Sequence, residues 1–577
     1  MALLIQMKST RWGPLATWFA LVLYVVLAFA VFSTAWIDPG ASWLGDNKDP
    51  KLFIWYLGWI PHELAAGRNP LITDYLSYPP GVNLMWNSSI LLPALLLWPV
   101  TSLAGPVVSY NLLITASVAL SAWLGYLAAR RFVSSVPACF FAGSLYGFSP
   151  GIMAQATGHP HALIALLPPI VLILGHEILV LQRRSPVLLG VLAGVAAALQ
   201  LLTGEEVLAT TALIAAIGIA VLAALHPKAV KEKAPYAARA AVIATLTFAF
   251  LAAYPLGVQF LGPQRVSGNV QSPDVYVTDL LSLVVPNHVL LQNSITAQIA
   301  GHLAGNRTED DAYLGVALLV LFGIGAVAGW RRTAIRWATL MTVAIIVLSF
   351  GPHLHFFGRA TPIPLPWAAI GWMPLIGSAL PSRLMLAAFL GAGIVIATLW
   401  EPGRLVGRGR RIAAAVLLVA GLVMVFPAVP ATSTGAQAPD FFRAGGAVGR
   451  ISPGTVILVT PFSSRQSTDA MYWQTLAGFR FRMPEGDAFT PGPFLGPHPT
   501  HLQASLDALD QGRAVPVTDE ERRLARADLA SLGVRSIVAG PSPGHDAIVR
   551  YLTAVTGSSP TLTEGVDVWW SLSPSGP

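Results

Sequence analysis

The stretch Trp36–Asn87, WIDPGASWLGDNKDPKLFIWYLGWIPHELAAGRNPLITDYLSYPPGVNLMWN, decides how the chain is read. One apolar run, Pro14 to Trp36, precedes it, and two acids, Asp46 and Asp49, come soon after that run ends. An amphipathic segment, Leu52 to Leu64, follows with Trp55, Trp59 and Ile60 on one side. Then come Gly67, Asn69 and Pro70 and the turn Tyr78-Pro79-Pro80-Gly81. Carboxylates beside a membrane surface, backed by an aromatic helix lying in the interface plane, suit chemistry on a lipid head group.

The rest of the chain supplies the membrane. Of 577 residues only 11% are charged, and the mean hydropathy is +0.62, so most of the length belongs in a bilayer. Pro14 to Trp36 is too long for a signal-peptide core and lacks a small-residue cleavage site, so it reads as a retained span. Further runs predict spans at 107–129, 135–152, 162–182, 186–203, 207–225, 239–257, 313–330, 335–351, 384–400 and 412–428. The run Ile90 to Ala104 holds Pro93 and Pro99 and is short, which fits a re-entrant or interfacial segment. The expected fold class is a polytopic α-helical membrane protein of about 11 transmembrane helices with a C-terminal α/β domain. Its expected domains are residues 1–429, with a large first outer loop at 37–88, and residues 430–577.

Basic clusters fix the expected topology. With Lys8 and Arg11 in the cytoplasm, Arg130-Arg131, Arg183-Arg184, Lys228 to Lys233, Arg331-Arg332-Arg336 and Arg404 to Arg411 all fall on the same side. Counting Ile90 to Ala104 as a full span would reverse every later cluster. The outer face then gathers residues 36–87, Gly158 to His161, Gly204 to Glu206, the loops 258–312 and 352–383, and the C-terminal domain. The expected location is therefore the plasma membrane, with a cytoplasmic N-terminus and an extracytoplasmic tail. The net charge of +7 sits in short loops between spans, where it sets topology, so a nucleic-acid partner is not implied. The single cysteine, Cys139, lies in an apolar run and excludes an intramolecular disulfide or a Cys-based metal site.

From Pro430 the composition is that of a soluble domain. Thr455 to Thr460 and Arg535 to Ala539 read as strands, Thr518 to Leu532 as a helix capped by Thr518, Ala547 to Val555 as a helix, and Gly565 to Leu572 as a last strand. Trp473, Phe481, Phe494 and Trp569-Trp570 would be core residues or sugar-stacking platforms. On one strand, Trp569 and Trp570 must point to opposite faces.

A first span, an acidic pair in the first outer loop, an aromatic helix, Gly67-Arg68-Asn69-Pro70, Tyr78-Pro79-Pro80 and many spans together resemble the GT-C glycosyltransferases. The resemblance covers Pro14 to about Gln200. The adjacent acidic pair usual in that family is replaced here by two Asp three apart. The resemblance implies an inverting transferase that moves a sugar from a polyprenyl phosphate donor to a glycan or glycolipid acceptor, with membrane lipid around it. Asp46 would deprotonate the acceptor hydroxyl, with Asp49 beside it. The lipid phosphate leaves as a stable anion and needs cationic or hydrogen-bonding neighbours rather than a general acid.

Each candidate also has a structural reading. Asp49, followed by Pro50, reads as a helix N-cap, and Asp46 as a turn cap. Arg383, at the outer end of a span, is the phosphate partner or a snorkelling interfacial anchor; Arg265 and Arg307 are weaker phosphate candidates. His159 and His161 would hydrogen-bond phosphate or sugar or hold a divalent metal, although spacing fixes no third ligand and either is a tolerated interfacial histidine. Glu205 and Glu206 line a cavity mouth or cap the next span, Glu309-Asp310-Asp311 has the same ambiguity, and His353 and His355 would line the same cavity. The competing functions are a transporter or flippase of a lipid-linked intermediate, and a non-catalytic scaffold of an envelope-biosynthesis complex. A transporter would place charged or broken-helix sites at the midplane, often with repeat symmetry.

Overall fold

The computed structural model describes residues 13–572 except 47, 269–271, 273, 307, 374–375, 405–406, 464–466, 493 and 496–498. Lys8, Arg11 and Arg307 lie outside the described residues, as does the side chain of Phe494. The chain divides into two compact units that do not follow chain order. The first comprises Met1–Asp38, Asn111–Ala252 and Gln271–Ser433; the second comprises Pro39–Tyr110, Ala253–Val270 and Thr434–Pro577.

Among the described residues, seven helices are long and apolar enough to cross a membrane: Pro14–Val31, Pro106–Ala129, Val136–Gln155, Pro160–Leu181, Glu205–Leu225, Pro227–Leu261 and Pro381–Trp400. Four shorter apolar helices, Leu91–Ala104, Pro186–Leu201, Gly315–Gly329 and Thr333–Ser349, stand where the remaining apolar runs were read, together with Arg408–Val425. Helix starts follow local chemistry. Ser135, Ser149 and Ser185 each accept a backbone N–H from the first turn, and each is followed by a proline within two residues.

Small residues let the helices of the first unit approach closely. A Cβ on Gly147 would stand 2.3 Å from the Ala122 nitrogen, and one on Gly143 would stand 2.5 Å from the Ala122 carbonyl. Gly190 and Gly194 meet the carbonyls of Ala240 and Ala244 in the same way, each at 2.5 Å from the added carbon. Where lipid is as apolar as leucine, backbone contact of this kind supplies the packing energy.

The second unit is built on a five-stranded sheet. Its strands are β1 (Thr455–Thr460), β2 (Phe481–Arg482), β3 (Ser536–Ala539), β4 (Thr561–Thr563) and β5 (Val566–Trp569), in the order β4-β5-β3-β1-β2. β3, β1 and β2 are parallel, while β5 runs antiparallel to β3 and to β4. Helices His501–Asp510, Asp519–Ser531 and His545–Thr556 pack their apolar faces, including Leu506, Leu529 and Leu552, on β1 and β3. Thr518 caps the second of these helices by accepting from Glu521 N, as its sequence suggests. Trp473 and Phe481 are core residues, and Trp569 is buried; Trp570, on the other face, lies half-buried under the Arg450 guanidinium.

The aromatic helix of the opening stretch departs from expectation. It spans Asp49–Ala65 and buries Phe53, Ile54, Trp55, Tyr56, Trp59 and Ile60 in protein rather than presenting an aromatic face to lipid. Helix Asp469–Leu476 is what covers it. Trp55 Nε1 donates to Gln474 Oε1 at 2.6 Å, Lys51 Nζ meets Asp469 Oδ1 at 2.5 Å, and Gly58 leaves room for Thr475 and Phe479. Trp55 and Trp59 stack with centroids 5.0 Å apart, and Phe479 meets both edge-on. The extended segment Tyr75–Tyr78 exchanges backbone hydrogen bonds with Met483 and Glu485. Gly81 closes the Tyr-Pro-Pro-Gly turn at φ 72°, where a Cβ would stand 2.4 Å from the Thr73 carbonyl.

Candidate functional site

The first unit gathers four of the expected residues around one guanidinium. Arg383 sits in the single turn Pro381–Leu384 that opens helix Met385–Ala397, so a rigid element aims it. Its Nε and Nη2 fork onto both carboxylate oxygens of Glu309, and its Nη1 donates to Glu206 Oε2. His161 Nε2 lies 3.5 Å from the same Nη1. Glu206 stands in the first turn of helix Glu205–Leu225, and its other oxygen accepts from Leu380 N at 2.8 Å. His159 closes the ring: its Nδ1 is 3.1 Å from Gln155 Oε1 and 3.6 Å from Glu309 Oε1, while Gln155 Nε2 donates to Glu309 Oε2 at 3.2 Å.

One cation therefore faces two carboxylates in a water-poor setting. Burial pushes the Glu309 carboxyl up, but the Arg383 guanidinium overrides it, and with help from His159 and Gln155 holds Glu309 below the usual carboxylate range. Asp311, 1% exposed, has no hydrogen-bond partner on either carboxyl oxygen among the described residues. Burial, then the charges of Glu309 and Asp310, push it well above the usual carboxylate range. Asp310 is pushed up to about 7 by burial, with Asp279 adding to the rise and a hydrogen bond to Ser282 opposing it.

Beside the cluster is a small, partly open hollow. Glu206 and Arg383 form its polar end with Thr210 and Thr211; Val207, Ile214, Leu384, Leu386 and Ala387 line its apolar length. A charged head continuous with an apolar slot suits an amphiphile more than a free sugar.

Asp46 and Asp49 belong to the second unit. Asp46 is exposed, and its Oδ1 accepts from Lys48 N at 2.9 Å and from Asp49 N at 3.2 Å. Asp49 is the first helical residue rather than the cap, so the turn-capping contact falls to Asp46. Lys48 Nζ lies 3.8 Å from Asp49 Oδ1 and 3.8 Å from Asp487 Oδ2. Glu205 is half-buried in the same first turn as Glu206. His353 pairs with Asp274 at 3.1 Å, and Arg265 donates to the Phe260 carbonyl. Among the described residues no three His, Cys, Asp or Glu side chains are placed to hold a metal ion. His159 turns to Glu309 and His161 to Arg383, so the two imidazoles face the ion-pair cluster.

Sequence reasoning missed two members as partners. Glu309 read as a helix-start acid, and its Arg383 contact links positions far apart in the chain. Gln155, wholly buried in an apolar helix, carried no local signal beyond being a polar residue in a membrane run.

Solved structures with the same arrangement of elements are GT-C membrane enzymes. The mycobacterial arabinofuranosyltransferase AftD matches with a TM-score of 0.51 at 15% identity, over 93% of this chain and 37% of that one. The oligosaccharyltransferase AglB of Archaeoglobus fulgidus, solved with an inhibitory peptide and a dolichol-phosphate, matches with a TM-score of 0.50 at 13% identity, over 95% of this chain and 72% of that one. The chain thus spans little more than a third of the arabinofuranosyltransferase. It has the GT-C fold, helical in its membrane part and ending in a sheet-containing domain. A comparison with curated protein sequences gave no match. Residues 21–423 match the family described as Domain of unknown function (DUF6311), and the chain belongs to that family.

Proposed function

We propose that the chain is an inverting glycosyltransferase that moves a sugar from a polyprenyl phosphate donor to a cell-envelope glycan or glycolipid at the outer face of the plasma membrane. The observation that carries this reading is the GT-C fold, matched over more than nine-tenths of the chain. The buried Arg383 at the polar end of an apolar slot supports a phosphorylated lipid as the donor. In the reaction, Asp46 takes the proton of the acceptor hydroxyl. The hydroxyl oxygen bonds to the anomeric carbon, and the bond from that carbon to the phosphate oxygen breaks, its electron pair leaving with the phosphate. Asp49, beside Lys48, shapes the field around Asp46; Arg383, with His159, His161, Glu205 and Glu206, receives the phosphate end.

The test is a transfer assay with the full chain in proteoliposomes, offered a panel of polyprenyl-phosphate-linked sugars and envelope glycolipids. Transfer should fall about 10² to 10⁴-fold in Asp46→Asn, the usual contribution of a positioned base. Undiminished transfer in that variant would remove Asp46 from the mechanism. If no donor in the panel loses its sugar, the transferase reading goes with it.

A further inference from the structure

We infer that Glu206 occupies the place on Arg383 that the donor phosphate takes, and that the phosphate enters by exchange with this carboxylate. The inference rests on the reading of Arg383 as phosphate partner and adds how that partner is reached. Each of the three guanidinium nitrogens of Arg383 already faces a carboxylate. Its Nε and Nη2 are held by Glu309, whose side chain is 2% exposed, and its Nη1 by Glu206, whose side chain is 19% exposed. Arg383 with these two acids carries a net negative charge, so a phosphate added to the cluster as it stands would be repelled.

Of the two acids, Glu206 is the one able to move. It reaches the open hollow, and its Oε1 is tied separately to Leu380 N, so Oε2 can leave Nη1 while the residue stays anchored. Glu309 is locked by Gln155 and His159 as well as by the fork. Releasing Glu206 costs free energy that a phosphate alone does not return. An apolar tail held in the bilayer along the Ile214, Leu384, Leu386 and Ala387 side of the hollow tethers the phosphate beside Arg383, and the raised effective concentration offsets that cost. The exchange therefore selects a prenyl phosphate over inorganic phosphate.

The test measures geranylgeranyl phosphate binding to the full chain in nanodiscs, with inorganic phosphate as competitor. Wild type should bind the prenyl phosphate and resist displacement by inorganic phosphate. Glu206→Gln should bind it about tenfold tighter, as expected if the released state holds about a tenth of the population, and should become sensitive to inorganic phosphate. Unchanged or weaker binding in Glu206→Gln, with binding lost in Arg383→Gln, overturns the exchange and leaves the phosphate reading intact. Unchanged binding in Arg383→Gln removes both. Should Glu206→Gln fail to fold, the wild-type competition decides, because ready displacement by inorganic phosphate overturns the exchange.

Discussion

Asp46 and Asp310 are both loop carboxylates, and their surroundings ask opposite things of them. Asp46 serves the backbone through Oδ1, and an asparagine keeps that acceptor oxygen while losing the basicity. Asp46→Asn should therefore melt with wild type, whereas Asp46→Ala should also lose about 1 kcal/mol of turn and helix-start stability. Thermal melts beside the transfer assay separate the two roles. Asp310 is held to a raised value, about 7, by burial first and Asp279 second. An unfolded chain releases that proton near the ordinary carboxylate value, so between there and about 7 the folded state binds an extra proton. The contribution of Asp310 to stability is present at low pH, declines as pH rises through that window and flattens above it. Asp310→Asn should remove that slope from melting temperature against pH. Glu309, held low, works the other way and loses its contribution as pH falls, so the Asp310 term appears as a difference between variant and wild type.

At the scale of elements, the decisive contacts are backbone against backbone. Gly147 meets Ala122 so closely that no rotamer relieves an added Cβ, because the atom it would strike is a main-chain nitrogen. Gly147→Val should cost about 3 kcal/mol or more and lower the yield of monodisperse protein. Gly175→Val, at a helical glycine with open space around it, should change little. A Gly147→Val protein as stable as wild type would mean that this helix pair is not packed as described. Local patterning foresaw some of these elements: the Thr518 cap and the strand at Thr455–Thr460 are short-range chemistry. The role of the aromatic helix was not legible. Periodicity tells which side of Asp49–Ala65 is apolar, and it cannot tell that Gln474 and Phe479, some 400 positions later, cover it rather than lipid.

At the scale of the whole molecule, charge asymmetry says more than any motif. His159, His161, Glu206 and Arg383 were singled out because loop counting placed them on one face, and they form one cluster; Glu309 and Gln155 join through contacts that chain order hides. The same counting makes the reading of an extracytoplasmic transferase depend on orientation. Lipid-linked sugars are used from one leaflet, so the loops carrying acids and histidines must face outward while the lysine and arginine clusters face in. Cysteine labelling decides this cleanly, because Cys139, the chain's single cysteine, is wholly buried and gives little background. His302, exposed in the loop after helix Ser294–Ala300, and Lys231, exposed near the start of helix Pro227–Leu261, are the positions to exchange. A membrane-impermeant maleimide on intact cells should label His302→Cys at once and Lys231→Cys only after lysis. The reverse pattern would put the Arg383 cluster against the cytoplasm and end the outer-face reading. Labelling of both positions in intact cells would mean that the helices between them do not carry the chain across the membrane as counted.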